Sequence, residues 1–177
     1  MNNNLRKLIY LALLVTFGLV LHLVEQAMPN PFPFPGAKLG LANIITLVAL
    51  VLYGFKSAVF VAILRVLLGN LLAGTIMGFP FVLSLTGAMF SLLVMVTVMP
   101  LRNRRVLSLV GVSLLGATVH NVTQLIAASL LLDQIGILFV YMPYLIVFAI
   151  PTGLFTGLVA TMIVNVIYTN LSHVTNV

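Results

Sequence analysis

The sequence has no cysteine and only two acidic residues, and each shortage excludes a class of chemistry. Without cysteine the chain has no disulfides, no thiolate metal sites and no cysteine nucleophile. The two acids, Glu25 and Asp133, are far apart, so there is no aspartate-rich magnesium motif. The HExxH, GxSxG and GxxxxGK[ST] motifs are also missing. We therefore predict that the chain is not an enzyme, holds no metal or cofactor, and does not hydrolyse ATP itself.

Charge of either sign is scarce, whereas apolar residues are abundant. Charged residues make up 6% of the 177 residues and hydrophobic residues 62%. Such a composition lies outside the soluble globular class. We predict an all-α integral membrane protein that forms one transmembrane domain over residues 1–177 and lies in the bacterial plasma membrane as a multi-pass protein. The net charge of +6 does not indicate nucleic acid, because the basic residues lie at predicted membrane boundaries.

Long apolar segments predict six transmembrane helices, since a helix needs roughly 20 residues to cross a bilayer. The last segment is long enough to tilt, or to break near Pro151. A proline-rich stretch, residues 28–36, separates the first two segments, and a basic loop, residues 101–105, separates the fourth and fifth. The six predicted segments are residues 5–28, 37–53, 56–74, 80–99, 106–132 and 138–168.

The distribution of lysine and arginine predicts the orientation of these helices. In a six-helix arrangement Lys38 lies on one side of the membrane, and six other basic residues lie on the opposite side. By the positive-inside rule, the side with six is cytoplasmic, and both termini lie there. The six residues are Arg6, Lys7, Lys56, Arg102, Arg104 and Arg105.

One basic residue, Arg65, lies in the middle of an apolar segment. A guanidinium cannot lose its proton there, and placing it near the bilayer centre costs roughly 2.5–3.5 kcal/mol on insertion scales. Such a residue is expected to face a polar cavity. No acid is obviously placed to neutralise it, because Glu25 reaches it only if the end of the first helix dips inward. An unpaired interior cation favours an anionic or carbonyl-bearing ligand.

Other polar residues within the predicted helices lie mainly at mid-depth or nearer the outside. This asymmetry predicts a cavity that opens outward, with Arg65 contacting the ligand and Asn43 and Lys38 at the mouth. The alternative for His120 and Asn121 is hydrogen bonding between helices, worth about 0.6 kcal/mol per contact, and for Arg65 it is a structural pair. The candidate substrate-binding residues are Arg65, His120, Asn121, Gln124, Asn43, Lys38 and Asn70.

Four segments together resemble the Gx transporter family, whose members are often labelled heptaprenyl diphosphate synthase component I. The likeness extends over residues 29–157. The segments are GAKLGLANIITL (residues 36–47), Arg65 with residues 69–74, FPFVLSLTGAMFS (79–91) and GVSLLGATVHNVTQL (111–125).

This family is similar to the S components of energy-coupling factor transporters. The resemblance implies a six-helix bundle with cytoplasmic termini and an outward pocket roofed by loops. It also implies docking, through small residues of the first helix such as Ala12, Thr16 and nearby Gly18, to a membrane coupling subunit driven by two ATPases.

The predicted function is therefore capture of a small molecule outside the cell for ATP-driven uptake. Two alternatives stay open. One is a non-catalytic membrane subunit of a prenyl diphosphate synthase or a quinone-related assembly. The other is a facilitator that works alone.

Overall fold

The computed structural model describes residues 3–28 and 40–175, and within these ranges the chain is helical, with no strand. Five of the helices are long and apolar enough to cross a membrane, which confirms a multi-pass membrane protein. The helices are α1 (Asn3–Ala27), α2 (Asn43–Tyr53), α3 (Phe55–Leu72), α4 (Phe79–Asn103), α5 (Leu109–Leu131) and α6 (Gly136–Thr175).

The connection between α4 and α5 is shorter than predicted. Helix α4 continues through Pro100 to Asn103, so three of the five residues of the expected basic loop are helical. Proline removes only one backbone hydrogen bond, and its fixed φ is compatible with a helix. Helix α5 begins at Leu109, where the Ser108 hydroxyl accepts a hydrogen bond from the Gly111 amide at 3.1 Å. This cap sets the start of α5.

Helix α6 is continuous over 40 residues, including Pro143 and Pro151, so the expected break near Pro151 does not occur. Just after Pro151 the helix packs closely against α5. A Cβ added to Gly153 or Gly157 would lie 2.8 or 2.7 Å from a backbone Cα of α5. These glycines let the two helices approach closely, and α5 and α6 form the most extensive helix pair.

Helix α2 is the short element of the bundle. Its 11 residues span only about 16 Å, whereas the predicted segment began at residue 37. Its first eight residues are buried, and it packs against α1, α3, α4 and α6. A single residue, Gly54, joins α2 to α3 with φ of 78°, which is a left-handed conformation that glycine adopts readily.

This hairpin determines the depth of two polar residues. Ten residues lead from Tyr53 back to Asn43, and ten lead from Phe55 forward to Arg65. The two side chains therefore start at the same depth, about 15 Å from the Gly54 turn. Asn43 lies in the middle of the bundle, and not at the outer start of a full-length helix.

Candidate ligand-binding site

Glycines on α1 and α3 bring these helices close enough to enclose polar side chains between them. A Cβ added to Gly69 would lie 2.2 Å from Cδ2 of His22, and one added to Gly18 would lie 3.3 Å from Cδ of Arg65. Since residue 18 pairs with 65 and residue 22 with 69, the two helices run parallel. Their interface therefore carries a histidine and an arginine into the bundle.

Arg65 points inward, as the sequence predicted, and only 4% of it is exposed. Its Nη2 donates to Oδ1 of Asn43 at 2.7 Å, and its Nε donates to Oγ1 of Thr46 at 3.3 Å. Both acceptors lie on the first turn of α2. The guanidinium is thus held at the end of a helix that begins inside the membrane domain.

Glu25 lines the same cavity as Arg65, so the end of α1 lies inward, which is the condition that the sequence set for this acid to reach the arginine. Only 8% of Glu25 is exposed, and its charge acts on Arg65. Its Oε1 accepts hydrogen bonds from the backbone amides of Gly40 and of Leu41, the latter at 3.3 Å. The outer end of α1 therefore turns its polar face toward the start of α2.

A sequence signal for this partner was present. Gly18, His22 and Glu25 are spaced by four and three residues, which places them on one face of α1. Gly18 and His22 both pack on α3, so the same face directs Glu25 toward the bundle interior.

His120 joins the cluster through Asn43. The amide Nδ2 of Asn43 donates to Nδ1 of His120 over 3.1 Å, because the amide oxygen already accepts from Arg65. With Nδ1 as acceptor, the proton of a neutral imidazole is on Nε2. Asn43 therefore bridges the arginine of α3 and the histidine of α5.

A small cavity lies among these groups. Its volume of about 10 Å³ is about the least in which one water molecule fits, so in this arrangement the described residues leave no room for a larger ligand. A glycine on α4 makes room beside it, since a Cβ on Gly87 would lie 2.9 Å from both His120 and Gln124. The described residues that line the cavity are His22, Glu25, Gly40, Arg65, Ser84, His120 and Gln124.

A second cavity of about 10 Å³ adjoins the first; Gly40 lines both, and Asn43 lines the second. Its other polar groups come from Ser91, Ser113 and Thr156. The hydroxyls of Ser113 and Thr156 are 2.7 Å apart. Within the part of the chain that the structure describes, the buried Ser91 hydroxyl has no hydrogen-bond partner. Sequence reasoning missed these hydroxyls because serine and threonine are common in membrane helices.

Two of the seven predicted residues lie elsewhere, and a third is outside the described residues. Asn121 donates from Nδ2 to the Leu145 carbonyl at 3.1 Å and so links α5 to α6. Asn70 donates to the Val66 carbonyl at 2.8 Å and accepts from Thr75 at 2.9 Å, which closes the end of α3. Lys38 lies outside the described residues. The first cavity thus brings together Arg65, His120 and Gln124, and Asn43 is hydrogen-bonded to the first two of them.

Comparison with known proteins places most of the chain in one family model. The model described as heptaprenyl diphosphate synthase component I matches residues 14–163. This range includes Arg65, Glu25, Asn43 and His120, and the match confirms the family resemblance seen in the sequence. No curated protein and no solved structure matches the chain. The likeness to S components stays a prediction.

Proposed function

The chain belongs to the heptaprenyl diphosphate synthase component I family, and within that family we propose that it is a membrane subunit that captures a small anionic or carbonyl-bearing molecule at Arg65. The family is a non-catalytic component, so the chain is not the synthase itself. The observation that carries the proposal is the buried cluster of Arg65, Glu25, Asn43 and His120 inside the helical bundle.

The free energy needed to bury these ionisable groups supports a binding role. Ionisable groups inside a membrane protein are expensive, and they commonly mark a substrate or ion pathway. The start of α2 adds a second favourable feature, because a helix that begins inside the membrane domain directs its positive dipole end toward the cluster. Many transporters bind substrate anions at such interrupted helices.

The position of Glu25 suggests how an anion is recognised. Its carboxylate lies where Arg65 attracts it and where the Gly40 and Leu41 amides donate to it. A ligand carboxylate or carbonyl would use the same donors after Glu25 moves aside. His120 and Gln124, which line the same cavity, would then hydrogen-bond the polar edges of the ligand. Glu25 is in this view a competitor that the ligand displaces.

Native mass spectrometry of the purified protein tests this proposal. We expect wild type to retain a small molecule and Arg65→Gln to lose it, because the central donor is gone. Glu25→Gln should increase retention at least severalfold, because the competing charge is removed. Arg102→Gln, which removes a cation at the end of α4, is the matched control and should behave as wild type.

Retention that is equal in wild type and Arg65→Gln would contradict the proposal. Loss of retention in Glu25→Gln with an intact helical circular dichroism spectrum would contradict the competitor role and would make Glu25 a direct ligand contact instead.

An uptake role needs an energising partner, for which we propose a membrane coupling subunit and a pair of ATPases. Ala12 and Thr16 lie on an exposed face of α1 that such a subunit would contact. Gly18, in contrast, is buried against Arg65, so it serves the interior of this chain and not the docking face.

The second candidate function is a non-catalytic membrane subunit that anchors a soluble prenyl diphosphate synthase. The family description favours it. Affinity purification from native membranes separates the two candidates. Recovery of a membrane coupling subunit with ATPases supports capture for uptake, whereas recovery of a soluble prenyl synthase supports the anchor.

A further inference from the structure

A large apolar groove lies between α1 and α6, where α2 separates them, and the lining residues differ from those of the polar cluster. Its volume is about 670 Å³, which is within the range of small-molecule sites. Tyr10, Leu13 and Phe17 of α1 form one wall, and Phe155 and Ile163 of α6 form the other. Ile45 of α2 lies at the floor and is buried.

The short α2 explains why the groove exists. It is packed between its two neighbours, and its 11 residues hold α1 and α6 apart without filling the space between them. On α1 the groove extends over residues 10–21, or about 16 Å. This length is half of the roughly 30 Å hydrocarbon core, so the groove has the depth of a single lipid leaflet.

One end of the groove is polar and basic. Tyr10 and Tyr53 line it there, and their phenols are close enough to interact electrostatically. Arg6 and Lys7 lie one turn before Tyr10, and Lys56 follows Tyr53 by three residues. All three cations are exposed.

No acidic residue neutralises these cations from nearby in sequence, because the chain contains only Glu25 and Asp133. Both acids lie toward the opposite end of their helices, one near the end of α1 and the other just after α5. The three cations therefore leave an unbalanced positive charge beside the groove, and it lies on the predicted cytoplasmic side.

From this arrangement we infer that the groove binds one isoprenoid chain that ends in a diphosphate. The apolar walls accept the chain along one leaflet, and the three cations with the two phenols bind the multiply charged head at the cytoplasmic surface. A zwitterionic phospholipid does not match three unpaired cations. The choice of an isoprenoid over an acyl chain rests on the family description, and therefore on the second candidate function. The presence of the groove and of the charge beside it does not depend on that function.

Binding of heptaprenyl diphosphate to the full chain in nanodiscs tests the inference. We expect one molecule per chain, no displacement by a tenfold excess of phosphatidylglycerol, and no binding of inorganic diphosphate. Leu13→Trp should weaken binding roughly tenfold or more by filling the groove. Leu115→Trp, at an exposed position of α5 outside the groove, is the matched control.

The head site has its own pair of variants. Arg6→Gln with Lys56→Gln should weaken binding roughly tenfold or more, as expected for the loss of two cations that contact an anionic head. Arg102→Gln with Arg104→Gln removes the same charge from the same membrane side and should change binding less than twofold. If Leu13→Trp does not fold, Val20→Trp, also at an exposed groove position, replaces it.

Three results would overturn the inference: displacement by phosphatidylglycerol, equal loss in the control variants, or unchanged binding in both groove variants. Arg65→Gln separates this site from the polar one, because it should leave binding of heptaprenyl diphosphate unchanged. If Arg65→Gln lost binding of heptaprenyl diphosphate while the groove variants kept it, the diphosphate would bind at Arg65 instead.

Discussion

At the scale of single residues, the pair Glu25 and Arg65 determines the electrostatics of the bundle interior. Each is nearly inaccessible, and each also has polar partners, which are backbone amides for Glu25 and the side chains of Asn43 and Thr46 for Arg65. A buried pair stabilises little relative to apolar residues, but removal of one partner leaves a buried charge uncompensated.

The difference between an intact buried pair and a single buried charge leads to a prediction about stability. Glu25→Gln and Arg65→Gln should each lower the free energy of unfolding by about 3–5 kcal/mol, and the double variant should lose clearly less than the sum. Unfolding in mixed micelles with rising SDS, followed by circular dichroism, measures the coupling. Additive losses would show that the two charges do not depend on each other.

At the scale of helices, close approach depends on a few glycines. Gly69 is the most restrictive of them, because an added Cβ would overlap the ring of His22 at 2.2 Å, and no rotation of that methyl relieves the overlap. Helices α1 and α3 must separate, or His22 must leave its place, to accommodate the extra carbon. The same glycine face carries Arg65, so the consequences reach the cluster.

We therefore expect Gly69→Ala to destabilise the fold by about 1–3 kcal/mol, the usual cost of overpacking. Gly136→Ala is the control, since an added Cβ there meets nothing within 4 Å, and its effect should stay within about 0.5 kcal/mol. Thermal unfolding in detergent provides the comparison. Equal melting temperatures for the two variants would mean that α1 does not pack on α3 in this register.

At the scale of the whole molecule, the basic residues and the helix order together predict one orientation. The six residues of the predicted cytoplasmic side lie at the start of α1, at the start of α3 and around the α4–α5 connection. Because successive helices alternate in direction, these three places share one end of the bundle. The turn between α5 and α6 is at the other end.

The absence of native cysteine makes this orientation easy to test. In intact cells a membrane-impermeant maleimide should label Gln134→Cys, in the α5–α6 turn, and should not label Arg104→Cys until the membrane is opened. Both positions are exposed. The reverse labelling pattern would show that the bundle has the opposite orientation, with the basic end of the apolar groove outside the cell.

Some features of this molecule could be predicted from the sequence, and others could not. Hydropathy located the helix ends to within about four residues, except the end of α6, which lies seven residues beyond the predicted end, and the start of α2, which the apolar pattern could not reveal. That start coincides with a carboxylate from α1 that binds the amides of Gly40 and Leu41, and a contact between residues so far apart in sequence leaves no local periodicity. For the same reason Asn121 and Asn70 were indistinguishable from Asn43 before their neighbours were known.

The amino-acid sequence by itself determined that this chain is a helical membrane protein, that six of its eight basic residues gather at one end, and that Arg65 faces inward. Hydropathy, helical period and charge are properties of neighbouring residues, so they can be read along the chain. Only the tertiary structure decided that Glu25 accompanies Arg65, that Asn43 joins it to His120, and that an apolar groove opens beside α2. Those features depend on which helices pack together and in what register. Contacts between residues that are far apart in the sequence determine that packing.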